Sequence, residues 1–266
     1  MGFSDRFRKT RTFSPGYRPA RPPVRIVRDD TGRPAVDLGK IQEAGHVSLV
    51  KKADAVGLAL GLRGLRGIRA NVITVLDRSG SMYRDYASGA VQQLVERALG
   101  FALQVDVDGM IPVIGFADDA DAPVDVTVAN YQGVIGRDIA MPYGTTNMTA
   151  AMAVVRQYAE VTDLPLIVIV VADGGPDDPA STTRAFCELA AYPVFFKLLA
   201  VRPVDYFATL DDLGGDRRLL DNVDAKPERG GKDLLAMDDT EFATAMVDEF
   251  EAWITLATAA GVLAAP

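Results

Sequence analysis

Residues 71–82, NVITVLDRSGSM, join a compact β-branched run to an abruptly polar loop. The run predicts a central strand covered on both faces, since a strand with one wet face would alternate apolar and polar positions more strictly. The polar loop is harder to explain as local structure. Asp77, Ser79 and Ser81 alternate with Arg78 and Gly80, whereas the start of the next helix needs at most one capping side chain. The three side chains can share one side if the backbone turns sharply between them, and Gly80 permits that turn.

Outward from this stretch the chain alternates strands and helices. GAVQQLVERALGFAL places Val91, Leu94, Val95, Ala98 and Leu99 on one helical stripe. MIPVIGF reads as a second strand, VDVTV as a third, MTAAMAVVRQYAEV as a helix and LPLIVIVVAD as the most apolar strand. DDPASTTRAFCELAAY opens with Asp178 as a cap and Pro179 at the first helical position. PVFFKLLAV is a further strand, and one closing amphipathic helix of about 239–259 sets Phe242, Met246, Phe250 and Trp253 on a single face. Ahead of them all, HVSLVKKADAVGLAL has helical spacing weakened by Gly57 and Gly61. Such alternation predicts an α/β fold, Rossmann-like, with a mostly parallel central sheet and helices on both faces.

Ligands of open parallel sheets bind outside the carboxyl ends of the strands, which selects three loops: DRSGSM, PYGTTNM and ADGGPDD. Together they bring Asp77, Ser79, Ser81, Thr146 and Asp173, with glycines beside Thr146 and Asp173 to shape the turns. Two carboxylates and three hydroxyls form an oxygen-only set suited to Mg2+, with Mn2+ as the alternative. The competing reading makes each Ser or Asp an ordinary helix cap, but a cap uses one side chain and here five gather at one sheet edge.

This combination resembles the metal-ion-dependent adhesion site (MIDAS) of von Willebrand factor A (vWA) domains, in which Asp77, Ser79 and Ser81 match the Asp-x-Ser-x-Ser motif, Thr146 its separate Thr and Asp173 its second Asp. More narrowly, VSLVKKA before VLDRSGSM and VQQLVERALGFALQVDVDG after it resemble the C-terminal vWA domain of TerF-type tellurium-resistance proteins. The resemblance implies a protein-interaction domain, not an enzyme, that binds an Asp or Glu carboxylate of another protein through the metal, in a bacterial tellurium or stress-resistance assembly. It also implies that the two Ser and the Thr touch the metal while the two Asp often act through water. Two departures stand out: Arg78, a cation beside the site that would touch its electrostatics, and YGTTN, where alignment of Asn147 and Met148 selects Thr146 over Thr145.

Composition bounds the rest. At 266 residues, 48% hydrophobic and 24% charged, the chain suits one folded domain. Its net charge of −8 is uneven, because residues 1–36 carry nine Lys or Arg against three Asp. Residues 1–45 therefore read as a basic Pro/Arg-rich disordered extension and 46–266 as the vWA-like domain. Nucleic acid or an anionic membrane surface are alternative contacts for such a basic arm. No apolar run reaches the ~20 residues of a membrane helix, and the N-terminus lacks the apolar segment of a secretory signal, so the expected location is cytoplasmic. Cys187 stands alone and predicts no intrachain disulfide. The other chemistry considered is a metal-dependent phosphohydrolase on the same cluster, but the single His46 precedes the first sheet strand and offers the loops no general base. DVDG at 106–109 reads as a turn, and VGLALGLRGLRG lacks the ending of a phosphate loop. Asp118 or Asp119 in FADDAD either supports the metal ligands from behind or belongs to a solvated loop.

Overall fold

Two runs with almost no polar interruption, Asn71–Asp77 and Leu166–Ala172, lie side by side at the centre of the molecule. The computed structural model describes residues 18–214, 218 and 220–265. In chain order the elements are β1 (Val24–Arg25), β2 (Val27–Arg28), α1 (Leu38–Glu43), α2 (Val47–Leu62), β3 (Ile68–Arg69), β4 (Asn71–Asp77), α3 (Tyr83–Ala87), α4 (Ala90–Val105), β5 (Met110–Phe116) and β6 (Val124–Thr127). They continue with α5 (Met148–Val161), β7 (Leu166–Ala172), α6 (Pro179–Leu189), β8 (Val194–Ala200), α7 (Asp205–Asp211), β9 (Val223–Lys226), α8 (Asp239–Val247), α9 (Phe250–Ala259) and β10 (Leu263–Ala264).

Six strands form the central sheet in the order β6-β5-β4-β7-β8-β9. All pairings are parallel except that of the edge strand β6 with β5. The lack of polar alternation in β4 and β7 has a direct cause, which is that both faces are covered. Val72 and Leu76 of β4 pack with α2, α4, α8 and α9, whereas Ile73 and Val75 pack with α5 and α6 on the other face. Successive side chains thus feed two separate apolar clusters. The expected α/β architecture is the observed one.

Of the two glycines that weaken the helical reading of α2, Gly57 is explained by packing, together with Gly100 of α4, whereas Gly61 meets nothing closer than Arg66 at 3.5 Å. A Cβ on Gly57 would meet the Gln104 amide at 2.8 Å, and one on Gly100 would meet Cβ of Lys52 at 2.9 Å. Loss of helix propensity at these positions is the condition for close approach of α2 and α4.

The single closing helix expected over about 239–259 is instead two, α8 and α9. They are separated at Asp248 and Glu249, the latter with φ of 60°. The cause lies underneath. Lys197, fully buried on β8, donates to the carbonyls of Ala245 (2.6 Å) and Asp248 (2.9 Å) and pairs with Asp224 of β9. Those carbonyls serve a buried ammonium, and the break places them over it.

The expectation of a disordered extension over residues 1–45 is corrected for its described part, while residues 1–17 lie outside the described residues. Val24 and Ile26 are buried in the same core as Trp253. β1 pairs in parallel with β10, and β2 pairs antiparallel with β3. Arg69, buried, gathers the carbonyls of Arg33 and Pro34 and the carboxylate of Asp29. Asp37 then caps α1 by accepting from the Gly39 and Lys40 amides. The Arg/Pro composition hides an apolar pair at i and i+2, and its strand partners lie far along the chain. Among the described residues no helix is long and apolar enough to cross a membrane.

Candidate functional site

Chain order reverses across the β4–β7 pair: β4 leads to β5 on one side, and β7 lies on the other. The loops beyond their carboxyl ends diverge there and open a crevice. Asp77 closes β4, and Asp173 follows β7 by one residue. With Leu76 in register with Val171, the two carboxylates are neighbours at the sheet edge.

Asp77 is fully buried. Its Oδ1 accepts from the Ser79 amide at 2.7 Å, and its main-chain carbonyl accepts from the Tyr86 hydroxyl at 3.0 Å. Oδ2 of the same carboxylate is buried with no hydrogen-bond partner. Burial pushes the Asp77 carboxyl up to about 6, against the hydrogen bonds from Ser79, and the charges of Asp173 and Asp177 add to the rise. The hydroxyls of Ser79 and Ser81 lie 3.1 Å apart, and that of Ser81 donates to Oδ1 of Asp173 at 2.9 Å. Four of the five predicted residues therefore form one connected cluster.

Thr146 arrives through its main chain. Its amide donates to Asp177 Oδ2 at 2.8 Å and its carbonyl accepts from the Asp177 amide at 3.1 Å, while the Gly80 amide donates to the Gly144 carbonyl at 3.2 Å. The 144–147 loop is thus stitched to both the Ser loop and the loop after β7. Thr145 is engaged elsewhere, its amide donating to Asp118 Oδ1 at 2.8 Å. Asp118 also accepts, at its carbonyl, the side-chain amide of Asn147, which caps α5. Asp118 therefore holds the Thr-bearing loop in place, whereas Asp119 binds the amide of the next residue, Ala120.

Arg78 does not place a free cation at the crevice. It is buried, forms a two-pronged pair with Asp121 at 2.6 and 2.7 Å, and lies over the Tyr143 ring. The expectation that it touches the electrostatics of the site is replaced by a structural role, in which it ties the Ser loop to the 118–121 and 141–143 loops.

Sequence reasoning passed over three groups. Asp177, within ADGGPDD, anchors Thr146. Asp85 and Arg202 are joined by an ion pair, and Arg202 pairs as well with Asp173. ADGGPDD contained a readable signal for Asp177, an extra Asp after paired glycines. A lone Arg two residues past β8 gave none. His46 sits ahead of α2 with Nδ1 3.4 Å from the Tyr131 hydroxyl. A separate acidic group, Asp211, Asp224 and Glu249, lies by β9, where Asp224 is paired with the buried ammonium groups of Lys197 and Lys226. DVDG is a turn, as expected, with Asp106 accepting from the amides of Val72 and Asp108.

Comparison with known proteins places these features in context. The profile of a family described as vWA-TerF-like, a vWA found in the TerF C terminus, matches residues 69–263. The uncharacterized protein YcbR of Bacillus subtilis is 27% identical over 233 residues, which are 82% of this chain and 90% of YcbR. Among solved structures, the manganese-loaded TRAP protein of Plasmodium vivax is similar at 15% identity with a TM-score of 0.45, over 69% of this chain and 73% of that one. The vWF domain of the type V pili tip protein Mfa5 from Porphyromonas gingivalis is 18% identical with a TM-score of 0.32, over 41% of this chain and 38% of the other.

Proposed function

We propose, from the premise that this chain belongs to the vWA-TerF-like family, that its crevice is a metal-dependent adhesion site. Asp77, Ser79, Ser81, Thr146 and Asp173 would hold Mg2+, with Mn2+ as the alternative, and the ion would receive an Asp or Glu carboxylate from another protein. The observation that carries this reading is the orphaned, buried Oδ2 of Asp77 beside two converging serine hydroxyls. A buried carboxylate oxygen without a donor is costly unless a cation compensates it. The donor set is all oxygen, which fits a hard divalent ion and not a thiolate or imidazole site.

When bound, the ion supplies positive charge to offset these carboxylates and a coordination position for an external oxygen. The residues of the chain divide the remaining work. Ser79 and Ser81 present hydroxyls from one turn, Asp173 orients Ser81, and Asp118 and Asp177 fix the Thr146 loop. Such an assembly is built to bind. The single imidazole of the chain, His46, is engaged with Tyr131 ahead of α2, and an interaction module is favoured over a phosphohydrolase. A cytoplasmic location and a role in bacterial tellurium or stress resistance belong to the proposal. The tellurium link rests on the family description alone.

Calorimetry with Mg2+ and Mn2+ on the native protein and Asp77→Ala tests the site directly. Binding by the native protein that disappears in a folded Asp77→Ala variant is the expected result. Undiminished binding in the variant would refute the assignment, and capture of a partner that survives chelation would refute the metal bridge.

A further inference from the structure

Arg202 lies two residues beyond β8, and its guanidinium bridges two carboxylates from different loops. Nη1 pairs with Oδ2 of Asp173 and Nη2 with Oδ2 of Asp85. Asp173 and Asp85 are largely buried, their side chains 3% and 14% exposed, whereas Arg202 is 44% exposed. The second oxygen of Asp173 accepts the Ser81 hydroxyl. One carboxylate is therefore shared between a fixed organic cation and a hydroxyl of the adhesion site.

This sharing has two consequences of opposite sign. Without a divalent ion, Arg202 is the one cation paired with Asp173 among the described residues, and removing it leaves a nearly buried carboxylate beside Asp77. Unpaired buried charge destabilises a fold. With a divalent ion at the site, the same guanidinium opposes it by direct repulsion and competes for Asp173. Removing one unit charge from the immediate surroundings of a divalent ion changes its affinity by about fivefold to tenfold, even at the screening of bulk water.

We propose, resting on the metal reading of the crevice, that Arg202 is the resident counter-cation of the site, stabilising the metal-free crevice and setting its divalent-ion affinity low. This differs from a positioning role. A guanidinium that merely aligned Asp173 for the metal would, on removal, weaken both the fold and metal binding.

The test uses the full chain as native protein, Arg202→Gln and Arg202→Lys, with Mn2+ alone as the probe. Free Mn2+ is followed by electron paramagnetic resonance at low salt, and metal-free melting is followed by circular dichroism. Arg202→Gln should bind Mn2+ about fivefold to tenfold more tightly, with the gain shrinking as salt is added. Its metal-free form should melt a few degrees lower and recover on saturation with Mg2+. Arg202→Lys keeps the charge and should stay within about twofold of native affinity. Should Arg202→Gln fail to fold, Arg202→Met carries the same comparison. Native protein that binds Mn2+, with neutral variants binding equally or more weakly, overturns this inference and leaves the metal site standing. Absence of Mn2+ binding from native and neutral variants alike overturns both. Binding by the neutral variants alone supports the inference in its strongest form.

Discussion

Replacing Asp248 by Asn tests whether the carboxylate at the break between α8 and α9 stabilises the fold through its ion pairs. Asp248 pairs with Lys226 at 2.8 Å and with Arg63 at 2.7 Å. Burial pushes its carboxyl up, but Lys226 most strongly, then Lys197 and Arg63, outweigh that and hold it at about 2. Relative to an ordinary carboxyl at 3.8, the depression corresponds to roughly 2.4 kcal/mol. With the side chain 28% exposed, solvent screening lowers the expectation to about 1–2 kcal/mol. A folded-state value below the unfolded one means that this stability is present above pH 4 and lost as the pH falls toward 2. The difference between native and Asp248→Asn proteins, from urea unfolding followed by circular dichroism, should be full at pH 7. About half of it should be gone by pH 3. A difference that is absent at pH 7, or that does not shrink on acidification, would refute a stabilising role for the Asp248 carboxylate and leave the break to the contacts of Lys197 with the Ala245 and Asp248 carbonyls.

Deleting residues 1–36 should lower the melting temperature by about 5–10 °C, since Val24 and Ile26 are buried and each such side chain contributes about 1.5–3 kcal/mol. A deletion ending at residue 17 leaves the described contacts in place and serves as the reference; equal melting of the two would contradict the docking of β1. Gly115→Ala would bring a Cβ within 2.3 Å of Asp121 Oδ2 and 2.7 Å of Arg78 Nε, so it should separate that pair and cost about 2–4 kcal/mol in chemical denaturation. Gly144→Ala, at φ of 83° and with Asp118 Oδ1 2.7 Å from the new Cβ, should cost about 1–2 kcal/mol while weakening Mn2+ binding through displacement of the Thr146 loop. Native affinity in that variant would separate the loop from the site.

The parts of this fold legible in the sequence are those in which one local pattern suffices. β4, β7 and α5 are uninterrupted or periodic, and Asp178 with Pro179 announces α6. The cluster of Asp77, Ser79, Ser81 and Asp173 was legible because adjacent parallel strands bring their carboxyl ends together. The features that escaped depend on partners remote in sequence. β9 is four residues, Val223–Lys226, with a charged inward pair, Asp224 and Lys226, that a hydropathy reading rejects. Its burial is permitted by Lys197, a charge inside an apolar strand whose meaning appears only when Asp224 lies beside it. The division of the last helix has its origin in the same lysine. Arg202 acquires significance from Asp85 and Asp173, 117 and 29 residues away.

The pairing of β1 with β10 also bears on how the chain emerges from a ribosome. Val24 is in register with Leu263, so this strand leaves the exit tunnel 239 residues ahead of the one it pairs with. At ordinary elongation rates that interval is on the order of tens of seconds, long compared with the microseconds in which a hairpin closes. During it Val24 and Ile26 have their apolar side chains and main-chain donors exposed, flanked by Arg21, Arg25 and Arg28. Charges of one sign around a short apolar pair discourage its association with other nascent chains. The basic composition of this segment thus has a use before the fold exists, as protection for a strand whose partner has not yet been made.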